Sequence, residues 1–104
     1  MKNEKLLDML GNDPVQLNMI SLKVKLMLII TAFIEENKWN QAQAADKLCV
    51  SQPRVSNLVN GKISRFSIDM LLEILGKLGY LMDITFNPEE GNNPINVRIR
   101  KTAA

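Results

Sequence analysis

Residues 40–62 read NQAQAADKLCVSQPRVSNLVNGK, two short amphipathic runs on either side of Cys49, Val50 and Ser51. So close a spacing leaves no room for a long connection, and the runs read as two brief helices turning sharply against each other. Asn40 is placed to cap the first, over 41–48, which leaves Gln41 in its first turn with a free polar side chain. Ala44, Ala45 and Leu48 face inward, and alanine at 45 permits the close approach that a sharp turn demands. Ser51 caps the second helix, over 52–60, and Pro53 falls in its first turn, where a missing N–H costs little. Val55, Leu58 and Val59 form its expected buried stripe.

The opposite face of that second helix carries Gln52, Pro53, Ser56, Asn57 and Asn60. A surface helix with only a structural role more often presents Glu and Lys. Amides and hydroxyls beside small apolar groups suit the edges of base pairs in a DNA major groove. Arg54 lies to the side of this face, where a phosphate would be in reach. The pattern reads as a helix-turn-helix with a recognition face.

Charge agrees with that placement. Residues 38–65 hold five cations (Lys38, Lys47, Arg54, Lys62, Arg65) and one anion, Asp46, a local net charge of +4. Residues 1–37 and 66–104 each hold four cations and five anions, or −1. The positive charge of the chain therefore sits in the region of the two short helices, a modest footprint for a polyanion.

Other classes are disfavoured. The chain has no histidine and one cysteine, so it can form neither a Ser–His or Cys–His nucleophilic pair nor an internal disulfide. A zinc site would have one thiolate and no imidazole. No P-loop or GxGxxG is present, and the adjacent Glu35 and Glu36 do not face one another on a helix. We expect no enzymatic activity, no metal and no cofactor. The charged start MKNEKLLDMLGND does not read as a secretory signal, and no uninterrupted apolar run approaches about 20 residues, so a cytoplasmic chain without a membrane partner is expected.

The periodicity places further elements around the motif. Residues 1–12 read as a short helix. Residues 15–37 give the strongest helical signal, with Leu22, Leu26, Ile29, Ile30, Phe33 and Ile34 on one face and Ser21 as a cap for a shorter version. Ser67 caps a helix running to Lys77, with Ile68, Leu71, Leu72, Leu75 and Leu78 inward and Gly79 ending it. The period then changes to two. YLMDITF puts Tyr80, Met82, Ile84 and Phe86 on one face, INVRIR alternates likewise, and both read as strands joined by a turn-rich loop. The expected organisation is an N-terminal segment 1–14, a helix-turn-helix bundle 15–79 and a C-terminal β element with tail, 80–104. A lone hairpin is marginal in water and an exposed strand edge invites a mate, so pairing of 80–86 with a second chain is expected.

QAQAADKLCVSQPRVSNLVNGK resembles the phage-repressor-like Cro/XRE helix-turn-helix family, and FSIDMLLEILGKLGYLMDITF resembles a subgroup whose members include HigA-type antitoxins. The resemblance spans roughly residues 20–86. It implies a mainly α, lambda-repressor-like bundle of about five helices with a small C-terminal β element. It implies a sequence-specific DNA-binding repressor acting as a homodimer, the antitoxin of a type II pair that neutralises a RelE/HigB-like ribonuclease toxin. By that resemblance Gln41 clamps a phosphate, Ser51, Gln52, Pro53, Ser56 and Asn57 meet bases or adjacent phosphates, and Lys62 holds the backbone after the turn. The family often has glycine where Cys49 stands, which demands either a left-handed cysteine or a remodelled turn. A buried small hydrophobe is the plainer reading of Cys49 and an interchain redox switch the sharper one. Trp39 reads as packing beneath the motif, and the 17–34 stripe as core rather than partner surface. Two alternatives stand: a free-standing phage-like repressor, and an interaction module that keeps the motif as a scaffold.

Overall fold

The computed structural model describes residues 13–102. The first helix, α1, runs Pro14–Glu36. Its start is built from Asp13, whose carboxylate accepts the backbone N–H groups of Val15 at 3.0 Å and Gln16 at 3.3 Å, with proline next in line. The helix is continuous through Ser21, so the shorter version capped there does not form. Helices α2 (Gln41–Leu48), α3 (Gln52–Val59) and α4 (Ile68–Lys77) follow, with a single 3₁₀ turn over Ile63–Arg65. Strands β1 (Tyr80–Phe86) and β2 (Ile95–Lys101) complete the chain. The described residues thus hold four α-helices rather than about five; the expected helix over 1–12 lies outside the described residues.

Short-range bonds set most of these boundaries. Asn40 and Gln43 form a reciprocal capping box: Asn40 Oδ1 accepts from Gln43 N at 2.8 Å and Gln43 Oε1 accepts from Asn40 N at 2.9 Å. Ser51 and Ser67 cap α3 and α4, each accepting an N–H three residues on at 3.2 Å. Helices α1, α2 and α3 all end in the same way. A residue with positive φ stands just past each (Lys38 at 55°, Cys49 at 57°, Gly61 at 68°). The N–H that follows it then returns to a carbonyl five residues back: Trp39 to Ile34, Val50 to Ala45, Lys62 to Asn57. Trp39 and Val50, the apolar residues at two of those returns, pack against the core.

The core joins the four helices. Ile30, Ala44, Val55 and Leu71, one from each, are fully buried, with Leu48, Leu58, Ile74, Leu75 and Phe66 around them. Ile74 was not on the expected inner face of α4, yet it is buried, while Ile68, Leu72 and Leu78 are only half-buried. Helix α1 differs further from expectation. Leu26, Ile30 and Ile34 are buried, but Leu22 and Ile29 are 41% and 44% exposed. Three short helices cover a narrower arc of α1 than its apolar stripe spans. By length and composition this helix would be long enough to cross a membrane. In the fold one flank of it forms the floor of the bundle.

The strands pair antiparallel within one chain, Tyr80 opposite Lys101 and Phe86 opposite Ile95. Gly79, at φ 92°, makes the bend out of α4, and its carbonyl accepts Thr102 N at 2.8 Å to close the base of the hairpin. Tyr80 stacks at a tilt on Phe33, ring centroids 5.2 Å apart, tying the hairpin to α1.

Leu71→Ala removes a side chain with no exposed area from the point where α4 meets the bundle. Urea denaturation of this variant is expected to show a loss of about 2–5 kcal/mol. Leu22→Ala, on the exposed flank of α1, is expected to lose well under half of that.

Candidate nucleic-acid interface

The proposed recognition helix is placed by what lies beneath it. Val55 and Leu58 are 0% and 2% exposed and point into the bundle, and at about 100° per residue this turns Pro53, Ser56, Asn57 and Asn60 outward. Gln52 and Arg54 flank that row on opposite sides, both exposed. Val59 falls beside Gln52 rather than in the buried stripe and is 38% exposed, contrary to expectation. It lines an apolar notch with Leu28 of α1 and Gly61.

Each expected site residue has a definite station. Gln41 opens α2, exposed, its side chain outside the capping box made by its neighbours. Ser51 uses its hydroxyl oxygen to accept Arg54 N at 3.2 Å, as the cap of α3. Pro53 occupies the first turn of α3, where no intrahelical N–H is lost. Ser56 and Asn57 are half-buried. Asn60 Nδ2 donates to Ser56 Oγ at 3.3 Å along the outward row. Lys62 is exposed directly after the Gly61 turn, its N–H held by Asn57 O at 3.0 Å.

Ser51, Gln52 and Arg54 share a shallow depression with Asp46, Cys49 and Val50 at the junction of α2 and α3. Gln41, Ser56, Asn57 and Lys62 lie outside it. Arg54 also borders a groove with Glu73 and Lys77 of α4. That neighbourhood has no signal in the sequence near Arg54, because it depends on how α4 folds back. The cations Lys38, Lys47, Arg54, Lys62 and Arg65 are all exposed. The ion pair among the described residues joins Arg100 to Asp83 at 3.6 Å on the hairpin, away from this cluster.

Cys49 resolves the question of the turn. It adopts φ 57° and ψ 44°, so the left-handed conformation is kept and the turn is not remodelled. The side chain is exposed, not buried, because a left-handed residue just past a helix directs its Cβ away from the core. Trp39 is half-buried against the core, as expected of packing beneath the motif.

A family model described as a helix-turn-helix domain matches residues 12–87, so the chain belongs to that family, a class of DNA-binding regulators. No curated protein and no solved structure matches the chain.

Left-handed backbone costs a residue with a Cβ about 1–2 kcal/mol, a cost that glycine avoids. Cys49→Gly is therefore expected to raise stability by about 0.5–1 kcal/mol in thermal or urea unfolding, partly offset by the freer unfolded chain. Cys49→Val, branched at Cβ, should lower it.

Proposed function

We propose that this chain is a sequence-specific transcriptional repressor that reads operator DNA with α3. The single observation that supports this most is the outward row of uncharged hydrogen-bonding side chains on α3, set in place by Val55 and Leu58 buried beneath it. In this reading Gln52, Pro53, Ser56 and Asn57 enter the major groove, where amides and hydroxyls discriminate bases and Pro53 supplies apolar contact. Gln41, Ser51, Arg54 and Lys62 hold phosphates on either side and set the register. The chain acts as a cytoplasmic homodimer on two half-sites about 34 Å apart, one helical turn of DNA.

We further propose that it is the antitoxin of a type II pair. The resemblance of residues 66–86 to HigA-type antitoxins supports this. So does the net charge of −1 on each flank of the motif, which suits a basic RelE/HigB-like ribonuclease partner. Autorepression of the shared operon follows from the same DNA contact.

Gel retardation separates the roles of the site residues. Arg54→Ala is expected to weaken binding to specific and random DNA alike and to flatten the salt dependence by about one phosphate contact. Asn57→Ala is expected to relax base preference at one position, by about 1–3 kcal/mol. Wild-type behaviour from both variants would remove α3 from the interface.

The antitoxin role is read by co-expression. A gene adjacent to this one should encode a small basic protein whose toxicity this chain relieves and with which it co-purifies. Toxicity that persists beside this chain, or the lack of such a neighbour, would leave a free-standing repressor.

A further inference from the structure

Beyond Gly79 the chain leaves the helices as a two-stranded ribbon with one apolar face. The register sets Met82 opposite Ile99, Ile84 opposite Val97 and Phe86 opposite Ile95, so these six side chains project from the same side. They are 40–68% exposed. The other side carries Leu81, Asp83, Thr85, Asn96, Arg98 and Arg100, and Lys101 stands opposite Tyr80 at the base of the apolar side. At its base the apolar face runs onto α1, where Ile29 and Phe33 meet Tyr80 and Ile99 in one cleft. Isolated exposed hydrophobics are ordinary, but a contiguous patch of this kind is not.

We propose that this surface is where a second copy of the chain docks, apolar face against apolar face about a two-fold axis. The proposal rests on the reading of the chain as a symmetric DNA-binding protein, and it moves the contact from strand edge to sheet face. Strand β2 already occupies one edge of β1, and a mate added at the free edge would leave the six side chains in water. A copy of the chain fits better than a charged partner. In an isologous interface a group near the two-fold axis meets its own copy, so a charge there would repel; from Met82 to Phe86 and from Ile95 to Ile99 this face has none. The six residues, 40–68% exposed, together leave roughly 600 Å² open, of the order of the about 800 Å² per partner of a stable interface. A two-stranded ribbon also needs a second layer to be stable, and its own mate at about 10 Å supplies one.

Sedimentation equilibrium of the full chain, without DNA, tests this. The wild type is expected to be dimeric. Ile84→Asp and Ile84→Lys are each expected to weaken self-association about 100-fold or more. Their helical circular dichroism should be unchanged, since Ile84 is 62% exposed and outside the helical core. Mixing the two variants should restore dimers, because opposite charges then meet across the axis. Loss of folding would not produce that rescue. Thr85→Asp, on the polar face, should remain dimeric. A monomeric wild type, a dimeric Ile84→Asp chain or a mixture that stays monomeric would overturn the proposal. Failure of the DNA reading looks different: Arg54→Ala and Asn57→Ala would then leave DNA binding unaltered, whatever the state of association.

Discussion

Val50 donates its backbone N–H to the Ala45 carbonyl at 3.0 Å, and that bond turns the chain from α2 into α3. It forms only if Cys49 takes a left-handed backbone and the two helices approach closely over Ala44 and Ala45. Any larger side chain at 44, where no surface is exposed, would push α3 away and tilt its outer row. The orientation of α3 is thus a packing result. Leu48, Val55 and Leu58 hold it from below, and Ser51 fixes where it begins.

The parts legible in the sequence are those set by neighbours in the chain. Asn40, Ser51 and Ser67 act as caps because each needs only an N–H three residues away. The inward positions of α2 follow from a short pattern with a single solution. The alternation over 80–86 and 95–100 gives both strands and their common apolar face. The parts not legible depend on how far other elements reach. Leu22, Ile29 and Val59 sit on apolar faces, yet periodicity cannot say how wide an arc the neighbours will cover. By residue type alone Cys49 reads as buried, whereas it stands exposed on a left-handed backbone. The positive φ of Lys38 had no glycine to announce it.

The candidate site divides along the same line. Its outward row was legible, because it is the complement of a buried stripe on one short helix. The Ser56–Asn60 bond was not, though the two residues stand four apart on one helix, a spacing at which side chains meet. The groove that Arg54 shares with Glu73 and Lys77 is tertiary and lies outside any local pattern.

Three successive helices ending in the same hydrogen-bonded return has a kinetic consequence. Each return spans five residues, so helix ends are decided before distant segments meet, and the loop-closure entropy involved is small. Chains dominated by such local contacts fold quickly. The hairpin is the exception, since it must close an eight-residue loop and meets the bundle only at its base, around Tyr80 and Ile99. A newly made chain would therefore complete its helical bundle before its ribbon closes.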